Sequence, residues 1–245
     1  MEKSGVSAHE GARREGALRE GAEREGAERA SANRAAERWL KIHDELLRGL
    51  AHALSNRVAT IDAATYMLGL DGADVQGQSA TLRGEIERLE ALLNAMRVLP
   101  RQADAAAEPV MAADVTQAAL TLMVHHGELR DVHCDVVMDG DVPPMFVDPH
   151  ALQHALLVAI AAAGRAAGRA GISLQVSSNG DIVRFSAAPR DVGAGMLGDG
   201  GAVKHFVDAE AIDWLLAAYD GVATPVRGGA EFTVPTLSAA RRAGR

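Results

Sequence analysis

Between Ala35 and Leu70 the chain has no proline and only two glycines, Gly49 and Gly69. Over the same stretch Leu47, Leu50, Leu54, Val58, Ile61, Thr65 and Leu68 recur at spacings of three and four. Strand side chains alternate every two residues and helical ones return every 3.6, so this pattern predicts one long helix with a coiled-coil-like seam. The glycines and aspartates of Gly69–Gln78 predict a turn. A second helix is predicted beyond it, with Leu82, Ile86, Leu89, Leu93, Met96 and Leu99 on one face and Pro100 closing it. Two helices of similar length joined by a short loop fold back on each other. A lone hairpin buries too little apolar surface, so residues 31–100 are expected to pair with a second copy in a dimeric four-helix bundle.

The flanks read differently. Residues 10–29 repeat EGARR, EGALR, EGAER, EGAER. A glycine at every fifth position costs a helix roughly 1 kcal/mol each, and almost no large apolar side chain repays it. Residues 1–30 are therefore expected to be a disordered low-complexity arm. Residues 101–108 (RQADAAAE) read as a linker. After it the texture becomes mixed. Helices are predicted at Asp114–His125, Asp148–Arg165 (opened by Asp-Pro) and Ala209–Tyr219, and strands at Val132–Met138, Ile172–Ser177, Ile182–Ala187 and Glu231–Val234. Asn179-Gly180 between two of the strands is a strong hairpin signal. The fold class is thus α plus α/β: a helical hairpin, then an α/β sandwich over residues 109–237, then a short basic tail over 238–245.

Composition narrows the function. A net charge of −8 argues against nucleic acid, whose phosphates select clustered Lys and Arg. The longest apolar run, Ala155–Ala163, is far short of the roughly 20 residues that span a membrane. Cys134 is the only cysteine, so no intrachain disulfide or multi-cysteine metal cage is possible. No apolar signal segment opens the chain, and a cytoplasmic location is expected.

One histidine stands out by its surroundings. In LAHALSNRVATI, His52 lies two residues from both Leu50 and Leu54, about 200° around the helix from each, so it should face solvent. Asn56 lies one turn on, and Gly49, Ala53, Ser55 and Ala59 keep the relief low. Leu46, Arg48, Ser55 and Arg57 are candidates for a docking surface around it. Taken alone, His52 is an ordinary surface histidine.

The order of elements adds to this. A histidine on the first helix of a hairpin, followed by an α/β module, resembles the dimerisation-and-phosphoacceptor plus ATPase core of sensor histidine kinases. His52-Ala53-Leu54-Ser55-Asn56 looks like that family's H-box, in which an acid follows the histidine and Asn or Thr closes the motif. Asp114–Ala162 resembles the first helix, strand and second helix of the family's Bergerat-type ATPase domain, and Ala211–Leu237 its final helix, glycine turn and closing strands. The departures are specific. Ala53 stands where the acid would orient the imidazole, and it can do no acid–base work. Val158 and Ala162 stand where the resemblance implies an asparagine holding Mg²⁺, an ion that needs hard oxygen ligands. Val207–Ile212 replaces the glycine-rich lid, and its carboxylates, Asp208 and Glu210, would repel a triphosphate. Only Asp191-Val192-Gly193-Ala194-Gly195 keeps the spacing of the adenine-gripping motif, which leaves Asp191, Gly193 and Gly195 as weak nucleotide-binding candidates separated from their strand by Pro189 and Arg190.

The chain is therefore expected to resemble the histidine phosphotransferases of bacterial phosphorelays, which keep the helical bundle and a decayed ATPase domain. His52 would be the phosphoacceptor and Asn56 would position a water or the receiver. ATP and Mg²⁺ are expected not to bind, or to bind only weakly, and no other cofactor is implied. The implied partners are a response-regulator receiver domain, a second copy of the chain, and a sensor kinase as a further candidate. A non-catalytic pseudokinase scaffold and a divergent ATP-dependent kinase are the alternatives. His150 and His154, four apart on one helix, offer no third metal ligand and read as a solvated face, as do His125-His126 and His133-Cys134. Trp39 and Trp214 read as packing anchors.

Overall fold

A computed structural model describes residues 5–70, 72, 74–100, 106–168, 170–190 and 200–244, without the side chains of 5–25, 27–28 and 200–207. Helix α1 (Gly5–Leu68) and helix α2 (Val75–Arg97) form the hairpin. The Asp74 carboxylate caps α2 by accepting from Gly77 N at 3.0 Å, so the turn ends four residues earlier than the sequence reading places it. From Gly5 the backbone of the arm expected to be disordered over residues 1–30 is helical and continuous with α1, and residues 101–105 of the expected 101–108 linker lie outside the described residues.

The second module runs β1 (Glu108–Val110), α3 (Ala112–Met123), β2 (Cys134–Met138), β3 (Met145–Val147), α4 (Pro149–Ala167), β4 (Ile172–Ser178), β5 (Ile182–Pro189), α5 (Gly200–Leu216), β6 (Val222–Val226), β7 (Gly229–Pro235) and α6 (Leu237–Arg242). Five strands form one sheet in the order β2-β4-β5-β7-β6, with only the β2–β4 pair parallel, and β1 pairs with β3 beside it. A hairpin followed by an α/β sandwich is the architecture expected from the sequence. Strands β1, β3 and β6 and helix α6 were not foreseen. Helix α6 is capped by Thr236 and buries Ala240, and Arg242 pairs with Asp181, so residues 238–242 are a docked helix and not a tail.

The sheet follows the alternation of its strands. Ile172, Leu174 and Val176, then Val183, Phe185 and Ala187, then Ala230, Phe232 and Val234 face the helices and are buried. Phe185 and Phe232 are cross-strand partners whose rings stack at 4.9 Å. Such a pair adds about 0.5–1.5 kcal/mol beyond the area it buries. Gly180 turns the β4–β5 connection at φ +94°, which a side chain rarely allows, while Asn179 Oδ1 accepts from Asp181 N and Ile182 N.

Helix α4 explains how the two parts join. Every residue from Ala151 to Gly164 is buried. A helix without a polar face must be covered on all sides. The sheet covers one side, and α3, α5 and α1 cover the rest. The docking face of α1 is held by ion pairs. Asp208 of α5 is buried and takes Arg38 Nε of α1 on one oxygen and Arg165 Nη2 of α4 on the other, the latter at 2.8 Å. Arg34 reaches Glu210 at 3.5 Å. Asp208 and Glu210 are thus paired with arginines and do not form the phosphate-repelling patch expected from the sequence. Trp39 of α1 lies over His154 of α4 at 4.7 Å between rings, with His43 beside both. His154 is buried, against the expectation of a solvated face, whereas Trp214 is 45% exposed and anchors no core.

The seam of α1 is also phased differently from its reading. Leu46 and Leu50 are buried, while Leu47 and Val58 are exposed, at 40% and 54%. Leu46 therefore belongs to the core and not to a docking surface. On α2, Ile86, Leu93 and Met96 are exposed and Leu92 and Ala95 are buried.

Two outcomes follow. Asp208→Ala leaves two guanidiniums facing each other, and chemical denaturation should show a loss of about 2–3 kcal/mol, the partial exposure of both arginines screening the rest. Burial, with His43 and His150 adding to it, pushes the His154 imidazole down to about 3. Below the usual histidine value of about 6.5 the unfolded chain takes a proton at this position that the folded chain refuses, so stability falls as pH falls through the window from about 6.5 to about 3. Between pH 7 and pH 5 His154 should cost about 2 kcal/mol, and a His154→Leu variant should show a correspondingly flatter acid slope.

Candidate functional site

Helix α1 carries two faces over one stretch. Arg34, Arg38, Trp39, Ile42, Glu45 and Gly49 recur at helical spacing and meet the second module. His52 lies three residues beyond Gly49, about 60° around the helix, and Asn56 one turn further along. The histidine therefore sits at the edge of the docked face, beside the module and in solvent. This agrees with the expected exposure and adds a neighbour that the sequence did not reveal.

Gly49 sets that neighbour's distance. A Cβ here would fall 1.7 Å from the carbonyl oxygen of His125, so only glycine lets the α1 backbone approach the loop after α3 this closely. The loop turns at His126, whose Nδ1 accepts from Glu128 N at 3.2 Å. His126 is buried, which corrects its reading as a surface residue. Burial lowers its pKa, and the neighbouring Glu45 carboxylate opposes that shift. Its Nε2 lies 3.1 Å from Glu45 Oε2, within ion-pair range but without hydrogen-bond alignment.

The result is an open groove of about 380 Å³ lined by Glu45, Arg48, Gly49, His52, Gly127 and Glu128. His52 and Asn56 are both exposed, and Asn56 Nδ2 faces His52 Nε2 at 3.2 Å. Ser55 is exposed and spends its hydroxyl on the Ala51 carbonyl at 3.0 Å. Arg57, suggested as a docking residue, instead turns into the hairpin and donates to Glu85 of α2 at 3.2 Å. Burial would raise the Glu85 pKa, but hydrogen bonds from Arg88 and Arg57 outweigh it and hold the carboxyl below the usual range. Of the suggested docking residues, Arg48 and Ser55 are the exposed ones near His52. Gly127 and Glu128 were missed, and no local motif marks them. They reach His52 only because Gly49, far away in sequence, admits their loop.

The positions expected from the resemblance to hold a nucleotide lie elsewhere. Val158 and Ala162 are each 1% exposed, inside the helix that fills the core. Asp191, Gly193 and Gly195 lie outside the described residues. Val207–Ile212, the stretch in place of a glycine-rich lid, belongs to α5, which begins at Gly200. Among the described residues no group of three or more His, Cys, Asp or Glu is placed to hold a metal ion. Cys134 is half-buried on β2, and burial raises its thiol to about 11, so it is a packing residue and not a nucleophile at neutral pH.

No protein-family model and no curated protein matches the chain. Among solved structures it is similar to the histidine kinase AdeS of Acinetobacter baumannii, at 15% identity and a TM-score of 0.41, covering 76% of this chain and 96% of that one. It is similar to full-length ShkA in complex with AMPPNP at 19% identity and a TM-score of 0.41, over 79% of this chain and 45% of that one. The catalytic domain of the histidine kinase ThkA matches 54% of this chain and 98% of its own length, at 12% identity and a TM-score of 0.40. These are distant similarities. No described helix is long and apolar enough to cross a membrane.

Gly49 is the position to test. Gly49→Ala forces α1 and the His125 carbonyl apart, an overpacking that should cost about 1–3 kcal/mol. Hydrogen exchange should accelerate at residues 125–129 and remain unchanged in β5 and β7.

Proposed function

We propose that the chain exchanges phosphoryl groups with the receiver domain of a response regulator through His52, without ATP, as a histidine phosphotransferase or a receiver phosphatase. The observation that carries this reading is the contrast between two places. His52 is exposed at the mouth of a groove, with an amide one turn away. Val158 and Ala162, where a kinase of the resembled type would hold its Mg²⁺ ligand, are apolar and sealed in the core.

The chemistry asks little of this chain. Phosphoryl transfer depends mainly on positioning and on stabilising charge at the phosphorus. A receiver brings its own Mg²⁺ and acidic pocket, so the histidine side must supply an accessible imidazole lone pair. The acid missing at Ala53 is needed to activate an imidazole against ATP and is less critical when the donor is an acyl phosphate, which is already activated. In the phosphatase direction Asn56 would orient the attacking water. A second copy of the chain is the natural cover for Leu47, Val58, Ile86, Leu93 and Met96, all at least 40% exposed on the hairpin, and a four-helix bundle buries such faces.

The test is transfer from a phosphorylated receiver. Wild-type chain should gain acid-labile, alkali-stable label or speed the loss of label from the receiver, and His52→Gln should abolish the first. Calorimetry with Mg²⁺ and a non-hydrolysable ATP analogue should show no micromolar binding. Label arriving equally on His52→Gln overturns the reading. Receiver binding with no transfer and no phosphatase activity replaces it with the scaffold reading, and tight nucleotide binding replaces it with a divergent kinase.

A further inference from the structure

The contact between α1 and the second module is built around imidazoles. His154 of α4 is buried, with Trp39 of α1 over it at 4.7 Å between ring centres and His43 of α1 at 6.4 Å. Its Nε2 is buried with no hydrogen-bond partner among the described residues. A charged imidazole carries an N–H on both nitrogens, so a proton taken here would leave Nε2–H without an acceptor. The titratable groups that face the ring are His43 from α1 and His150 from α4 itself, and a proton on either is a like charge. The Pro100 carbonyl favours a charged ring, and burial outweighs it. The Trp39 face attracts a cation, yet it is also part of what covers the ring. His126, at the other end of the contact, differs. Glu45 and Lys41 of α1, Glu128 of its own loop and Arg165 of α4 face it, so carboxylates there offset the charge of a proton.

We propose that the docking of α1 on the second module is a proton-sensitive latch with His154 as its sensor: the ring takes a proton only when α1 lifts from α4 at Trp39 and His43, and the sheet stays folded as it does so. Water then reaches both ring nitrogens. The docked state holds only the neutral ring and the lifted state accepts the proton, so acid shifts the population toward the lifted state. The pairs of Arg34 with Glu210 and of Arg38 with Asp208 contain no imidazole and are the closing force that acid works against. The sheet is spared because α4 itself packs on β5 and β7, and α4 keeps that side when α1 leaves. Burial pushes His154 down to about 3 in the docked state. A lifted ring returns to the usual value of about 6.5, and the lifted fraction then rises about 20–30-fold between pH 7 and pH 5. The latch does not depend on what His52 carries.

The test labels a buried thiol in the full chain with a pyridyl disulfide, a reagent that works in acid, each rate being divided by that of the urea-unfolded chain at the same pH. Ala35 is buried one turn before Trp39 on α1, and Ala187 is buried on β5. In a Cys134→Ala background, the opening constant read at Ala35→Cys should rise about 20–30-fold from pH 7 to pH 5. It should stand at least about tenfold above that of Ala187→Cys at both pH values, as expected of a local opening. Ile42→Cys, also buried on α1, is a second reporter of the same opening. Adding His154→Gln, which cannot titrate, should cut the rise to below about threefold. An equal rise in His154→Gln, or no rise in the chain that keeps His154, overturns the proposal. Equal opening constants at Ala35→Cys and Ala187→Cys also overturn it, because acid would then act by unfolding the whole chain.

Discussion

One carboxylate holds three helices of this molecule in register. Asp208 is almost fully buried, and an ionised carboxylate without partners there would cost several kcal/mol. It is retained because Arg38 comes to it from α1 and Arg165 from α4. That requirement fixes the rotation of α1 against the second module. With Arg38 pinned, helical geometry carries Trp39 onto His154, Glu45 to His126 and Gly49 to the His125 carbonyl. The position of His52 beside the Gly127–Glu128 loop is the last step of the same series. The site is therefore set by an ion pair fourteen residues away from it along the helix.

The sequence shows the parts of this arrangement more clearly than their assembly. Apolar period places α2, α3, α4, β4 and β5 along the chain. It misphases both helices of the hairpin, α2 with Leu92 and Ala95 buried and Ile86, Leu93 and Met96 exposed, and α1 because that helix has two kinds of apolar face. Leu46 and Leu50 pack inward and Leu47 and Val58 remain outside, and a sum of apolar positions cannot tell a face that meets its own chain from one left for another. His154 and His126 read as solvated because a histidine's spacing says nothing about what covers it. Their burial follows from α4 having no polar face and from the loop that Gly49 admits. The three-residue strands β1 and β3 have too few residues to show a period at all. At the site, the exposure of His52 and its one-turn relation to Asn56 were legible from helical angles. The groove was not, since it is made by residues more than seventy positions apart.

The same packing logic bears on nucleotide chemistry. An asparagine at 158 or 162 serves magnesium only if its amide reaches an open pocket. Here α4 is enclosed by the sheet and three helices, and a buried amide without partners costs about 1–3 kcal/mol. Alanines along α4 let α1 and α5 approach closely.

The charges around His52 bear on what a phosphoryl group would do there. Glu45 and Glu128 line the groove with Arg48 as the one guanidinium, and Glu45 is already turned toward His126. A phosphoimidazole dianion placed among these groups would gain one favourable partner and meet two carboxylates. The groove does not favour the phosphorylated state. On the proposed reading this suits a relay, because a carrier that held its phosphoryl group tightly would stop the flow. Destabilising the intermediate lowers the cost of passing it to a receiver whose Mg²⁺ is designed for the charge.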